Sequence, residues 1–401
     1  MARSATEEPL LPLLELNTSK KLVEAHQQDD ATFVRTCFNG LNALSGVGLL
    51  SIPYALSQGG WLSLLLLFIV AMICCYTGLL LQRCMKADPR IRTYPDIGEF
   101  AFGYLGRIFV SVFMYLELYL VAIGFLILEG DNLDKLFPDT KLIVGTVSIA
   151  SKQLFVMLVA LIILPTTWLR SLSVLAYVSA GGVLASVIVV FSVLWAATVD
   201  GVGFGERGRF LNLSSLPTAL GLYTFCYGGH AVLLLCFITC TLNYGSMAIL
   251  GYLMYGDSVN SQVTLNLPTG KLSSKVAIYT TLINPFSKYA LMIAPVATAI
   301  EERLITVNKR SPTLLIRSLV VLSTVVIALT IPFFGSLMAL IGSLLSIIVS
   351  MMLPCICYIK IFGASQVRKV ELVLISGILL TGTLVAITGT YASLKEIILQ
   401  L

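Results

Sequence analysis

Long apolar runs separated by short polar stretches fill the chain from about residue 33 to residue 392. A helix of about 20 apolar residues crosses the ~30 Å hydrocarbon core of a bilayer. Counting runs near this length predicts eleven spans, numbered one to eleven in chain order: 33–57, 60–82, 108–128, 152–169, 172–197, 216–230, 231–255, 276–300, 318–334, 337–359 and 371–392. The pattern predicts an all-α polytopic membrane protein with about 10 or 11 transmembrane helices.

Composition agrees with this class. Of the 401 residues, 57% are hydrophobic and only 12% are charged, which is too little polar surface to cover one soluble core. Residues 1–31 form the long polar segment and are predicted to be a disordered cytosolic tail, leaving 32–401 as the membrane domain. The nine cysteines lie mostly inside apolar runs without zinc-site spacing, so they are predicted to be small core residues.

The distribution of Lys and Arg tests the number of crossings, because these residues accumulate in short cytosolic loops. With a cytosolic N-terminus and eleven crossings, 17 of them lie on the cytosolic side and 8 on the opposite side. If residues 216–255 crossed only once, the counts would become 13 and 12. The charge bias therefore requires two crossings there.

Length conflicts with that requirement. Two crossings need about 40 residues before any turn is added, and the segment 216–255 contains 40. The first member, Leu216 to His230, has 15 residues, and Gly228 and Gly229 weaken its last turn. The segment supplies about one and a half spans where two are needed.

A second interrupted helix lies in span one, where Gly46 and Gly48 favour unwinding at mid-membrane. Irregular backbone at that depth is tolerated where it lines a cavity or is buried in protein. Spans one and six are five spans apart, so each opens one half of a five-plus-five inverted repeat, at about 32–200 and 210–360, with an extra helix at 371–392. Paired broken helices of this kind indicate a transporter site, although glycines also serve close helix packing.

Several long blocks carry a family resemblance: FNGLNALSGVGLLSIPYALSQGGW, TYPDIGEFAFG, LGLYTFCYGGHAV, CTLNYGSMAILGYLMYGD and INPFSKYALMIAPVA. They resemble the amino acid/auxin permease family, and within it the plant and fungal vacuolar amino acid transporters, which are related to the vesicular inhibitory amino acid transporters. The resemblance runs from about Thr32 to the C-terminus. It implies the amino acid–polyamine–organocation superfamily fold with broken helices one and six, and proton-coupled amino acid transport.

The chain departs from the family after GGHAV. Members continue there with the second half of helix six and a basic cytosolic loop, whereas this chain joins Val232 directly to Leu233. The loss of about twenty residues explains why two spans of about 20 residues each are crowded into one segment. It also leaves helix six truncated, on the side where its second half should wall the substrate site.

Candidate substrate contacts follow from the two breaks. A zwitterionic amino acid needs donors for its carboxylate and acceptors for its ammonium, and the ends of a broken helix offer both. In span one the predicted backbone contacts are Ser45, Gly46, Val47 and Gly48. In span six the predicted side-chain contacts are Tyr223, Thr224, Cys226 and Tyr227.

Ionisable residues within the membrane are costly and default to functional hypotheses. Glu117 in span three, Lys288 in span eight and His230 at the second break are such residues, and Asn284 shares a helical face with Lys288. The superfamily resemblance places a cation site between helices one and eight, so Lys288 is a candidate for proton coupling. Glu117 either carries the proton or forms a structural ion pair with Lys288. His230 either titrates or is a hydrogen-bonded packing residue.

Other classes of protein fit less well. The two histidines do not form the HExxH or histidine-box patterns of a membrane metalloenzyme. A receptor with seven spans disagrees with the number of predicted spans and with the 17-to-8 distribution of Lys and Arg. An oligomeric channel would need a helix that supplies a ring of like residues, and no single helix suggests one. The expected partners are an amino acid, protons and the lipid bilayer, with no cofactor and no nucleic acid. The resemblance implies the vacuolar membrane as the location, and the alternative function is a transport-dead or regulatory isoform.

Overall fold

The computed structural model describes residues 46–144, 147–168, 175–228, 234–304 and 310–400. The predictions for the tail 1–31, for Ser45 and His230, and for the junction between Val232 and Leu233 lie outside these residues.

Each predicted span contains a helix. In chain order the helices are Gly48–Gly59, Ser63–Ala87, Tyr104–Leu136, Ser151–Thr167, Leu175–Thr198, Leu216–Cys226, Leu234–Tyr255, Leu272–Leu304, Arg310–Thr330, Phe334–Phe362 and Lys369–Gln400. Seven helices of the described residues are long and apolar enough to cross a membrane. The all-helical, multi-pass prediction is confirmed, whereas the division into two repeats stays a prediction.

Several helices are longer than the apolar runs that predicted them. The helix of span three extends over Tyr104–Leu136 and that of span eleven over Lys369–Gln400. Hydropathy marks only the part of a helix inside the hydrocarbon core, which takes about 20 residues. The additional turns carry polar residues beyond it.

The loops contain short elements that the apolar pattern did not predict. Between spans two and three, the helix Tyr94–Phe102 begins with a capping box formed by Thr93 and Asp96. Between spans three and four, strand β1 (Leu142–Val144) pairs antiparallel with strand β2 (Val147–Ile149). Single 3₁₀ turns occur at Gly256–Ser258 and Val263–Leu265.

Span ten departs from regular α-helix at its centre. After Phe334–Leu340 the helix widens to π geometry over Ile341–Ser346 and Ile348–Met352, then returns to α geometry over Leu353–Phe362. π segments occur frequently at functional sites. The widened region brings its backbone against span six, where a Cβ added to Gly342 would lie 1.8 Å from the carbonyl oxygen of Gly221.

The short helices of spans one and six lie at the centre of the bundle. Span one packs against spans six and seven, span six packs against spans ten and eleven, and span eight packs against spans three and five. The helix Gly48–Gly59 is almost entirely buried, whereas Leu216–Cys226 has seven buried residues and four half-buried ones. This arrangement places Gly48 and Cys226, the helix ends next to the two breaks, in the protein interior, where irregular backbone at membrane depth is tolerated.

Candidate functional site

The helix of span one begins at Gly48, the second glycine of the pair. The amides of Leu49 and Leu50 donate to the carbonyls of Gly46 and Val47, each at 3.1 Å, and no side chain of the described residues caps this end. A helix N-terminus without a side-chain cap presents the positive end of the helix dipole. It is therefore suited to an anionic group.

The helix of span six ends at Cys226 after 11 residues. At 1.5 Å per residue it is roughly 16 Å long, about half of a ~30 Å hydrocarbon core. Tyr244 of span seven donates to the Cys226 carbonyl at 3.2 Å and so accounts for one backbone acceptor at this end. The prediction that span six is too short for a crossing agrees with this helix.

The two breaks meet. A Cβ added to Gly48 would lie 2.7 Å from the Cys226 sulfur, so only glycine allows this approach of spans one and six. Around the contact lies a cavity of about 240 Å³, lined by Gly46, Val47, Gly48, Met114, Glu117, Leu118, Val121, Phe125, Phe225, Cys226, Gly228, Lys288 and Met292. Six of the residues predicted from sequence share this cavity: Gly46, Val47, Gly48, Glu117, Cys226 and Lys288.

Two ionisable side chains line the cavity from opposite helices. Glu117 of span three and Lys288 of span eight are 9% and 2% exposed. No ion pair joins them within the described part of the chain; instead Glu117 accepts a hydrogen bond of 2.5 Å from the Ser346 hydroxyl. The alternative of a permanent Glu117–Lys288 pair is therefore not the arrangement in this structure.

Gly228 lines the cavity beside that hydrogen bond. A Cβ at this position would lie 3.1 Å from the Glu117 carboxylate and 3.2 Å from the Ser346 hydroxyl. The break in span six thus lies directly against the acidic group of span three.

Asn284 faces a separate small cavity of about 10 Å³ on the other side of Gly46 and Val47. Ser186, Thr281 and Pro285 also line it. Because Pro285 has no N–H, it cannot bond the Thr281 carbonyl one turn earlier. The space, close to the volume that one water needs, is therefore lined by polar groups from spans one, five and eight.

Three predicted substrate contacts lie outside the main cavity lining. The Tyr223 hydroxyl is 2.9 Å from that of Ser63, at the start of span two. Thr224 donates to the Leu220 carbonyl in its own helix at 2.8 Å, as buried threonines in helices commonly do. Tyr227 donates to Thr241 at 3.0 Å. Side-chain orientation within span six therefore differs from the prediction for these residues.

Ser346 and Gly228 were not among the site residues predicted from the sequence. A signal for the first exists, because Ser343, Ser346 and Ser350 are spaced by three and four residues in an otherwise apolar run and share one helical face. Gly228 was noted only for weakening a helix end, since the chain pattern does not show what lies opposite it.

Buried broken helices around an interior cavity with ionisable walls define a class: the multi-pass helical membrane proteins that hold a site near mid-membrane. Comparison with known sequences gives the family. The family model described as transmembrane amino acid transporter protein matches residues 29–235 and 232–395. The chain belongs to this family, and the family predicted from its motifs is confirmed.

Curated relatives are similar over nearly their whole length. The chain is 51% identical to Amino acid transporter AVT1I of Arabidopsis thaliana, over 92% of this chain and 96% of that protein. It is 49% identical to Amino acid transporter AVT1J of the same plant, over 94% of each. A manganese transporter of Eremococcus coleocola resembles the fold with a TM-score of 0.44 and 13% identity, over 90% of this chain and 86% of that one. The family assignment rests on the sequence matches.

The family match falls into two parts. These parts overlap at residues 232–235, where the junction was predicted from the sequence. The alignment with AVT1I extends over 387 positions, whereas 92% of 401 residues is about 369. About eighteen aligned positions of that relative therefore have no counterpart in this chain, which agrees with a shortened helix six.

Proposed function

We propose that this chain is a secondary active transporter that moves amino acids across a membrane, coupled to the proton gradient. The observation that carries the proposal is the cavity between the two broken helices, with the uncapped N-terminus of Gly48–Gly59 on one wall and Glu117 and Lys288 on others. The family and the printed names of the relatives support amino acids as the substrate class.

The cavity offers complementary groups for a zwitterion. Its volume of about 240 Å³ is below the ~300–1,000 Å³ of drug-sized pockets and suits one small molecule. The substrate carboxylate binds toward the N-terminal end of the helix at Gly48, where the helix dipole is positive. The ammonium group binds toward Glu117, and the apolar walls Met114, Val121 and Met292 receive the side chain.

Proton coupling is assigned to Glu117 and Lys288. A charge at mid-membrane costs several kcal/mol unless it is paired or hydrated, so each group changes its proton occupancy when a bound zwitterion or water replaces its surroundings. Asn284 and the small cavity beside it position span eight against the break in span one. Ser45 and His230 complete the proposed set on the two breaks.

The proposed location is the vacuolar membrane, with the N-terminus in the cytosol. Support comes from the Lys and Arg distribution along the chain and from the family branch that the AVT1 relatives define. The proton gradient of an acidic compartment then drives the exchange.

The test is uptake of a labelled neutral amino acid by liposomes that contain the purified chain, with an imposed pH gradient. We expect uptake that collapses when a protonophore dissipates the gradient and that is lost in Lys288→Ala. Lys275→Ala is the matched control, because Lys275 is an exposed lysine on the same helix. Uptake that ignores the gradient, or an equal loss in both variants, contradicts the proposal.

The length of span six supports one alternative function. In the family, the second half of helix six is expected to form one wall of the site. The helix of span six has 11 residues here, so other residues must form that wall. A transport-dead or regulatory isoform would insert and fold but give no uptake under any gradient, and would show an effect only together with a full-length relative. Measuring uptake of such a relative with and without this chain separates the two functions.

A further inference from the structure

The C-terminal end of span three, which is predicted to lie on the non-cytosolic (outer) side, carries a polar network that is separate from the site. Two of its four side chains are buried and two are half-buried. We name it the outer polar latch and define it by Asp131, Asn132, Lys152 and Gln262. Asn132 donates to Gln262 at 2.6 Å, and Gln262 donates to Asp131 at 2.9 Å. Lys152 pairs with Asp131 and also donates to the Pro332 carbonyl at 2.7 Å.

The latch joins four parts of the chain. Asp131 and Asn132 belong to span three, Lys152 to span four, Gln262 to the loop after span seven, and Pro332 to the connection between spans nine and ten. Lys135, one turn beyond Asp131, donates to the Leu265 carbonyl of the same loop. Asn132 also donates to the Leu128 carbonyl of its own helix at 2.8 Å. The other bonds named here all cross between elements, so any opening of this end of the bundle must break several at once.

Glu129 lies directly beneath the latch, one turn before Asn132. Its side chain is completely buried, and neither carboxylate oxygen has a hydrogen-bond partner among the described residues. Within the same part of the chain, the side-chain Oδ1 of Asn132 and the Thr264 hydroxyl are also buried without a partner; they belong to the same helix end and to the loop that packs on it. Buried polar atoms without partners are rare and require an explanation.

No cation compensates Glu129 in the part of the chain that the structure describes. On the elements packed against span three, Lys152 is engaged with Asp131 and Pro332, Arg317 with Glu301 and Thr167, and Lys288 lines the cavity. Lys275 and Lys271, near the start of span eight, are exposed. An isolated carboxylate in such surroundings costs several kcal/mol, so the group takes up a proton instead.

Glu129 also lies close to the site along the same helix. It follows Phe125, which lines the main cavity, by one turn, and adjoins Leu128, which lines the small cavity beside Asn284. We propose that Glu129 is a proton-binding site that the outer polar latch closes off from the outer side. When the latch opens, the O–H bond of the carboxyl breaks and its proton passes to water, leaving a hydrated carboxylate; closure requires the proton again.

This inference rests on the proposed function for its role in coupling, but proton binding itself is measurable without transport. The first experiment is infrared difference spectroscopy of the purified chain in lipid nanodiscs after a pH change. We expect a protonated-carboxyl C=O band at neutral pH that is absent in Glu129→Gln and present in Asp139→Asn, an exposed acid just beyond the same helix. Glu117→Gln is measured in the same way, so that any band from Glu117, the other buried acid of span three, is distinguished from the Glu129 band.

A second experiment opens the latch by substitution and follows the same infrared band. Gln262→Ala removes the bonds to both Asp131 and Asn132, so we expect the Glu129 band to follow the bulk pH in that variant. Absence of the band in the unsubstituted protein overturns the proposal, because the carboxylate is then charged. Loss of the band on addition of sodium ions at constant pH also overturns it, since the site then binds a metal cation.

Transport tests the coupling role. We expect Glu129→Gln to reduce gradient-driven uptake about tenfold, within the usual range of coupling free energies, while exchange of labelled for unlabelled amino acid at equal pH is retained. If Glu129→Gln shows the same gradient-driven uptake as Asp139→Asn, Glu129 has only a structural role, and the proposed role in coupling is overturned. If no variant transports at all, the proposed function fails, and the infrared experiment still decides whether Glu129 binds a proton.

Discussion

The Ser346 hydroxyl donates a hydrogen bond of 2.5 Å to the Glu117 carboxylate, and this bond links the third span to the π-helical part of the tenth. The contact lies under Gly228, at the end of the shortened sixth span. One acidic side chain of the site therefore depends on three spans for its position.

Ser346→Ala is expected to reduce amino acid uptake about tenfold or more, because a hydrogen bond to a charged group contributes about 1.5–3 kcal/mol. Ser350→Ala is the matched control: Ser350 is a buried serine one turn later whose hydroxyl has no partner in the part of the chain that the structure describes. Uptake is measured at equal amounts of inserted protein. Equal rates in the two variants would show that the bond does not hold Glu117 for transport.

Gly342→Ala is expected to destabilise the fold by about 1–3 kcal/mol, as overpacking does, since the new methyl group would collide with the Gly221 backbone. Gly377→Ala in span eleven meets nothing within 4 Å, so it should be neutral or stabilise by up to about 1 kcal/mol. The measurement is the thermal unfolding midpoint in detergent. A larger loss for Gly377→Ala would contradict the close contact of spans six and ten.

Asp96→Ala is expected to cost about 1 kcal/mol at neutral pH, because Asp96 accepts hydrogen bonds in the capping box of Tyr94–Phe102. Partial burial alone would raise the pKa of Asp96, but hydrogen bonds from Thr93 and the amides of Arg92 and Thr93, with the nearby Arg107, lower it from 3.8. The stabilisation is therefore present above pH 3.8 and is lost as the pH falls through the lower pKa of the folded state.

The unfolding midpoints of Asp96→Ala and the unsubstituted protein should converge as the pH is lowered below about 4. Glu99→Ala is the control, since Glu99 pairs with the same arginine at the surface but takes no part in the cap. Its effect should stay within about 0.5 kcal/mol. A difference for Asp96→Ala that persists in acid would mean that the cap acts without its charge.

Restoring about twenty residues of a relative after Val232 is expected to raise uptake, because span six then gains the length of a full crossing. A flexible Gly/Ser insert of equal length is the control and should give no gain. Unchanged uptake with the natural segment would show that the shortened chain forms its site without a second half-helix.

The sequence predicts the site best where it breaks its own pattern. Gly46 and Gly48 interrupt an apolar run, and Glu117 and Lys288 place charges where lipid would exclude them, so these four were found and lie in one cavity. The shortness of span six was predicted because the Lys and Arg distribution requires two crossings in residues 216–255, whereas the 40 residues there leave none for a turn. In each case the chemistry of the bilayer leaves few alternatives.

Side-chain direction within a fully buried helix was not predictable in the same way. Tyr223, Thr224 and Tyr227 lie in a stretch that is apolar all round, so no polar face indicated which side meets the cavity. The π geometry around Ser346 rotates that part of span ten relative to a regular helix, and a pattern with period 3.6 does not contain it. Glu129 sits at the end of an apolar run, where charge is ordinary, and its burial depends on a loop that follows span seven.

The Gly221–Gly342 contact has a consequence for biosynthesis. A helix of 11 residues is too short to cross the bilayer on its own, and one of its close backbone contacts, at Gly342, is made more than a hundred residues later. Span six can pack against span one as soon as it is synthesised, but this second contact has to wait for span ten. The packing at the centre of the bundle is therefore completed late in synthesis.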